Sequence, residues 1–392
     1  MLKNFEILKA SIIEGLYLPF SMEFMVWRVT FSLFASCSCV RLHPFLNFSK
    51  LFFIYRLSNT GINLIITVFS LMSSKLYIQL CRIYIQMSPI ISTGGITMDF
   101  RTDLAIEARE ALKNSIMGIR QKIEEINDMK ITDITIENEL ASRKIGKPEG
   151  EYITVEIPHL TDNYQGVEQK VEVISKQIRK LIPEKGLIFV VGLGNSNITP
   201  DAFGPETVKS ILATRHITGE IARSTGLDQL RPVAALAPGV LGQTGIEVSE
   251  IILSITKKIN PSAIIVVDAL ASKETRRLGS TVQISNTGIS PGSGVGNSRP
   301  NINKKVMGVP VLSIGVPTVV DALTLAGDLI PSLEGKINLD IKDKVNPRGE
   351  PMMVTPREID LLIERASKLV AMSINCALHT GFSARELMSL IS

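Results

Sequence analysis

The sequence predicts an α/β fold: a mostly parallel sheet with helices on both faces. Three observations carry that expectation. Leu187–Val191, Ala263–Val267 and Val309–Ile314 are short, unbroken apolar runs rich in branched residues, the pattern of strands buried on both sides. Amphipathic helical patterns at Val167–Leu181 and Val248–Lys258 lie between such runs. Gly192-Leu-Gly194 and Ala237-Pro-Gly239 each close a run with a turn, which gives the strand–helix rhythm of a parallel sheet.

Taken in order, residues 104–126 place Leu104, Ile106, Ala108, Leu112, Ile116, Ile119 and Ile123 at helical spacing and predict a helix. Ile131–Ile136 and Tyr152–Ile157 alternate as strands do, with Gly146-Lys-Pro148 as the turn between them. After the Leu187–Val191 strand, Thr199-Pro200 predicts a helix start with Thr at the cap and Pro at the first helical position. A helix over 205–216 follows, then a short strand at Val233–Leu236. Ala263–Val267 ends on Asp268, and Val282–Ser285 reads as a further strand. Pro317–Leu325 starts a helix, and residues 331–354 form a polar connection. Thr355-Pro-Arg-Glu358 reads as a capping box opening a helix to Leu378, with Ser383-Ala-Arg-Glu386 capping a last short one.

The first quarter is different in kind. Residues 1–97 hold 15 of the 21 aromatics, three of the four cysteines and no Asp. They carry eight Lys or Arg and three Glu, against 34 basic and 35 acidic residues in the rest, so the net charge of +4 belongs to this leader. The remainder has no basic excess, and no direct nucleic-acid partner is expected. Leu57–Ser74 is the best membrane-anchor candidate, but Ser58, Asn59, Thr60, Asn63 and Ser73 interrupt a span that needs about 20 mostly apolar residues. Glu6, Glu14 and Glu23 exclude a signal peptide. Gly94-Gly95 can be encoded by a purine-rich stretch shortly before the Met98 codon, where a bacterial ribosome-binding site would lie. The expectation is therefore a natural start at Met98, with no membrane partner; an anchor and a soluble extension are the alternatives. Beyond the leader only Cys376 remains, which argues for a reducing, cytoplasmic compartment without disulfides.

For chemistry, His159, His216 and His379 stand far apart without metal-binding spacing, so no metal is expected. Gly288-Ile-Ser290-Pro-Gly292 matches G-x-S-x-G, but Pro291 has no N–H to donate to an oxyanion, so a serine nucleophile is rejected. G-x-G-x-x-G fails because Asn197 stands at its third glycine position. Paired carboxylates remain. Asp201 follows one strand and Asp268 ends another, and a parallel sheet brings both to the edge where such folds place chemistry. Two nearby carboxylates do not ionise together, so one keeps a proton while the other activates water. Gly192 and Gly194 leave room for a partner to approach, with Asn195 beside them as a further substrate-binding candidate; the loop with Gly292, Gly294 and Gly296 shapes a substrate-binding wall, offers backbone donors, or is a structural Gly-rich turn.

From Arg101 to about Leu378 the chain resembles the germination protease family of endospore-forming bacteria, atypical aspartic peptidases. The resemblance is carried by R-T-D-L-A-I-E-A-R-E (101–110), V-G-L-G-N-S-N-I-T-P-D-A-F-G-P (191–205), R-P-V-A-A-L-A-P-G-V (231–240) and V-D-A-L-A (267–271). It continues through Q-I-S-N-T-G-I-S-P-G-S-G-V-G-N (283–297) and G-V-P-V-L-S-I-G-V-P-T-V-V-D-A (308–322). It implies catalytic roles for Asp201 and Asp268, no cofactor, and a fold like that of hydrogenase-maturation endopeptidases. It also implies cleavage of small acid-soluble spore proteins in the forespore and spore core, and a homotetramer. A zymogen would lose a short propeptide, residues 98–103, by cutting itself at Asp103–Leu104, leaving one peptidase domain over 104–392. Cleavage in this family follows an acidic residue, for which Arg215, Arg231, Arg276 and Arg277 are candidate readers. Three features depart from the family: the leader, the short propeptide, and Ser196 where an aromatic is common. The alternative is an esterase like peptidyl-tRNA hydrolase, which shares Val191–Asn195 and an echo at Thr214-Arg-His216.

Overall fold

The computed structural model describes residues 102–329 and 352–391, except 113–115, 163–164, 218, 225–226 and 293–298, together with residue 345 and four strands between residues 40 and 86. The chain divides into two compact units, Met1–Gly95 and Ile96–Ser392. In the first, β1 (Val40–Asn47), β2 (Lys50–Leu57), β3 (Asn63–Val68) and β4 (Tyr84–Gln86) form an antiparallel sheet in chain order. Part of the anchor candidate Leu57–Ser74 is thus the strand β3. No helix of the described residues is long and apolar enough to cross a membrane. Gly94–Met98 lies outside the described residues.

The second unit begins with α1 (Ala105–Glu110) and the hairpin β5 (Ile119–Ile126)–β6 (Met129–Ile136). The helix expected through residue 126 therefore stops at Glu110. Ile119 and Ile123 satisfy both helical and strand spacing, and the two-residue turn after Ile126, with Asn127 left-handed at φ 56°, selects the hairpin. A short helix α2 (Glu139–Ile145), capped by the Asn138 side chain and ended by Gly146 at φ 72°, replaces the simple turn expected before β7 (Gly150–Glu156). Then come α3 (Val167–Leu181), β8 (Ile188–Gly192), α4 (Phe203–Lys209), β9 (Val233–Leu236), α5 (Val248–Ile259) and β10 (Ala263–Ser272). The chain ends with β11 (Thr281–Ser285), β12 (Val311–Asp321), α6 (Ala322–Leu329), β13 (Met353–Val354), α7 (Ile359–Leu378) and α8 (Ala384–Ile391).

These strands form one sheet in the order β5-β6-β7-β11-β12-β10-β8-β9, with β13 on β12. The α/β class holds, and the sheet is mixed. β12, β10, β8 and β9 are parallel, whereas β5, β6, β7 and β11 pair antiparallel. Helices cover both faces. Ile265 and Val267 of β10 pack in the cluster that holds α3 and α7, while Ile264 and Val266 pack in the cluster that holds Ile252 of α5. Every one of these β10 side chains is essentially inaccessible, and burial of each contributes about 1.5–3 kcal/mol.

Two strands outrun their apolar runs. β10 continues past Asp268 to Ser272, and β12 continues through Pro317 to Asp321, because each supplies the other's partners. Pro317 lies opposite Leu270, beside the register shift at Leu270/Ala271, where a strand tolerates a residue without an N–H. The helix expected from Pro317 therefore starts at Ala322, where Asp321 Oδ1 accepts the Thr324 N–H at 2.9 Å. The Thr355–Glu358 box does not form: α7 begins at Ile359 with Glu358 at its cap and no side-chain capping bond. The last box does form. Glu386 Oε2 accepts the Ser383 N–H at 2.7 Å, and Ser383 Oγ accepts the Glu386 N–H at 3.3 Å.

Candidate active site

β8 and β10 are neighbours, with Val267 opposite Gly192, so the chain leaving β8 starts beside Asp268. It crosses back over the sheet edge as a loop and a single 3-10 turn, Thr199–Asp201, before α4. Thr199 is not the cap expected from sequence. The turn starts one residue earlier, at Ile198, with no side-chain capping bond, and Asp201 N–H donates to Ile198 C=O at 2.8 Å. Thr318 Oγ1 donates to Pro200 C=O at 2.8 Å and ties the turn to β12.

Close backbone approach holds this arrangement. A Cβ on Gly204 would lie 2.2 Å from Leu193 C=O and 2.5 Å from that of Val267. One on Gly194, at φ +117°, would lie 1.9 Å from Asp201 C=O. Gly192 packs on Gly204 C=O rather than lining the cleft, so its predicted substrate contact is replaced by a packing role.

Asp201 and Asp268 line one cleft of about 520 Å³ with Gly194, Asn195 and Gly292. Asp201 Oδ2 accepts the Asn195 N–H at 2.7 Å. Burial raises the Asp201 carboxyl above its ordinary value, and that N–H opposes the rise. Asp268 is 7 % exposed and sits within β10 opposite Gly315. Its carboxyl is raised well above the ordinary value, first by burial, then by the negative charges of Asp201 and Asp103. Burial therefore disfavours the charged form of both carboxyls, more strongly at Asp268, the deeper one, while the Asn195 N–H favours the charged form of Asp201. Gly294 and Gly296 lie outside the described residues.

Asp103 also lines this cleft. Its N–H donates to Ala271 C=O and its Oδ2 accepts the Ala271 N–H, both at 2.9 Å. Lys147 Nζ donates to the Thr102 and Asp103 carbonyls, each at 3.0 Å, and Gln283 Nε2 to Asp103 C=O at 3.1 Å. Gln283 Oε1 accepts the Ala105 N–H at 2.6 Å, and Leu104 is fully buried. The predicted processing bond Asp103–Leu104 is therefore anchored at the cleft wall, not exposed in a loop. Glu107, also buried, accepts N–H bonds from Lys273 and Glu274 at 2.7 and 2.9 Å and a hydroxyl bond from Thr102.

The four arginines singled out from sequence do not line the cleft. Arg277 is buried against Glu107, Glu110, Glu156 and Glu274. Arg231 donates to the Gly186 and Lys185 carbonyls, Arg276 pairs with Glu274, and Arg215 is exposed. The cleft instead contains Arg299 and Glu247, which sequence reading missed; a lone Arg just after the Gly-rich loop was the available signal. His216 is exposed away from it, and burial pushes His379 down to about 4, so it is neutral. Among the described residues no group of His, Cys, Asp and Glu side chains is arranged to hold a metal ion.

The fold is of the α/β class, and comparison with known proteins places the chain among peptidases. A sequence model of the family described as germination protease matches residues 98–344. The germination protease of Clostridium perfringens is 41% identical over 324 residues, covering 74% of this chain and 99% of that protein. That of Caldanaerobacter subterraneus subsp. tengcongensis is 41% identical over 322 residues, covering 76% and 99%, and that of Bacillus cereus 35% over 344, covering 71% and 93%. The chain belongs to the germination protease family. Among solved structures, a NiFe hydrogenase maturation protease, HycI from Thermococcus kodakarensis, aligns with a TM-score of 0.29 and 17% identity over 50% of this chain and 98% of that one. That similarity is too low to support a statement on fold.

Proposed function

We propose that this peptidase of spore germination cleaves small acid-soluble spore proteins with Asp201 and Asp268 as an acid–base pair. The observation that carries the reading is two raised carboxyls lining one cleft, one steadied as an anion by the Asn195 N–H and the other buried beside it.

The Asp201 carboxylate takes a proton from a water, whose oxygen attacks the scissile carbonyl carbon. Asp268 gives its proton to the carbonyl oxygen, so no uncompensated oxyanion forms. The tetrahedral intermediate then collapses. The proton on Asp201 passes to the leaving nitrogen as the C–N bond breaks, and Asp268 recovers its proton from the hydroxyl. Both carboxyls return to their starting states.

The finer readings come from the same source. The enzyme is made as a zymogen that cuts itself at Asp103–Leu104, supported by the presence of Asp103 in the cleft that holds both aspartates. It works as a homotetramer in the forespore and spore core, without metal or cofactor. Purified protein is offered a spore-protein peptide and, separately, an aminoacylated-tRNA ester. Peptide cleavage that disappears in Asp201→Asn and Asp268→Asn supports the reading; ester cleavage alone points to the esterase instead.

A further inference from the structure

Resting on the peptidase reading, we propose that Arg299 sets the side-chain preference of the site by binding a substrate carboxylate at a position flanking the cleaved bond. The charged residues described in the cleft lining are Asp103, Asp201, Glu247, Asp268 and Arg299, so Arg299 is the one cation among them.

A cleft with four acids would at first favour a basic side chain, and the state of each acid decides otherwise. Asp268 is 7 % exposed, and burial and its neighbours disfavour its charge. The Asp103 carboxylate accepts the Ala271 N–H at 2.9 Å. Asp201 is committed to the water. Glu247 meets Arg299, and only through one Nη1–Oε1 contact at 3.4 Å.

That contact is long for a charge-assisted bond, which prefers about 2.7–2.9 Å. It also uses one of the five N–H donors in a planar fork built to take a carboxylate with two parallel bonds. The Arg299 side chain is 38% exposed and that of Glu247 29%, so a carboxylate arriving from solvent reaches the fork. The root of the side chain is fixed, since Arg299 N–H donates to Pro291 C=O at 3.0 Å on the wall that carries Ser290 and Gly292. Glu247, just before α5, thus acts as a placeholder that an acidic substrate side chain displaces.

The test uses matched peptides that carry one Glu, or Gln in its place, at each position flanking the cleaved bond. Wild type should prefer Glu at one position by about 10- to 100-fold in kcat/KM, the range of a hydrogen bond to a charged group. Arg299→Ala should lose that preference through a fall on the Glu peptide, with the Gln peptide and the melting temperature nearly unchanged. Arg299→Lys should recover part of it, because an ammonium restores charge without the fork. Glu247→Gln should lower KM for the Glu peptide and leave that for the Gln peptide unchanged. A Glu preference that survives Arg299→Ala overturns the assignment, as does an equal loss on both peptides, which marks a structural role. Wild type that cleaves neither peptide defeats the peptidase reading and the assignment with it; wild type that cleaves both equally defeats the assignment alone.

Discussion

Asp103 and Ala271 hold each other by two hydrogen bonds, Asp103 N–H to Ala271 C=O and Ala271 N–H to Asp103 Oδ2, both 2.9 Å. The pairing lies on the same strand as Asp268, a few residues further on, and puts a third carboxylate within electrostatic reach of it. Removing Asp103 should lower the Asp268 carboxyl. The proposed cut after Asp103 removes that charge, so the processed enzyme should have its alkaline limb at lower pH than the uncut chain, measured as kcat/KM on a spore-protein peptide. An unmoved limb would separate Asp103 from the pair.

Activity should rise with pH as Asp201 ionises and fall as Asp268 loses its proton. Both values are raised, so the rising limb lies above pH 3.8, the ordinary value for Asp. Asp201→Asn and Asp268→Asn should each lower kcat by about 10³-fold or more, since a neutral amide neither takes nor gives the proton. Near-normal turnover in either folded variant would remove that residue from the chemistry.

Stability should show the reverse side of the same burial. A carboxyl raised in the native state contributes its full stability below the unfolded value and loses it as pH rises through the native one. Asp268→Asn should therefore melt higher than wild type at pH 7, the gap closing towards pH 4. A variant that melts lower at both pH values contradicts the direction assigned to Asp268.

The proposed self-processing meets a structural brake. Gln283 grips the segment at Asp103 C=O and Ala105 N–H, and Leu104 is buried. Gln283→Ala should speed the appearance of a new terminus at Leu104 at mildly acidic pH, followed by N-terminal sequencing. The same terminus in Asp201→Asn would mean that another protease makes the cut.

Arg277→Ala should destabilise the protein by up to about 3–5 kcal/mol, the cost of breaking a buried pair, reduced because Glu107 alone of its four partners is buried. The urea midpoint is the measurement. A change under about 1 kcal/mol would show that solvent reaches the cluster and screens it.

What the sequence made legible follows from which forces are local. Ile188–Gly192 and Ala263–Val267 announced themselves because a strand buried on both faces must be apolar throughout, and Asp201 and Asp268 were found beyond their ends. Ile119–Ile126 did not, because a half-exposed strand with isoleucines four apart carries two periods at once and only its turn decides. The run of β12 through Pro317 was hidden for another reason: a bulge in β12 itself, where Thr318 is skipped between the pairs Leu270–Pro317 and Ala271–Val319, permits a proline that local rules forbid. Glu247 and Arg299 belong to segments far apart in the chain, so their meeting is a property of the closed fold.

The placement of the two aspartates has a kinetic consequence. Asp201 follows β8 and Asp268 lies in β10, with β9 on the outer edge between them in the chain, so the pair exists only after strands distant in sequence have joined. Such long-range pairing is a slow event in folding. Under the proposed self-processing, a chain emerging from the ribosome carries its Asp103–Leu104 bond before the pair that would cut it has assembled, and the interval would protect nascent copies from themselves.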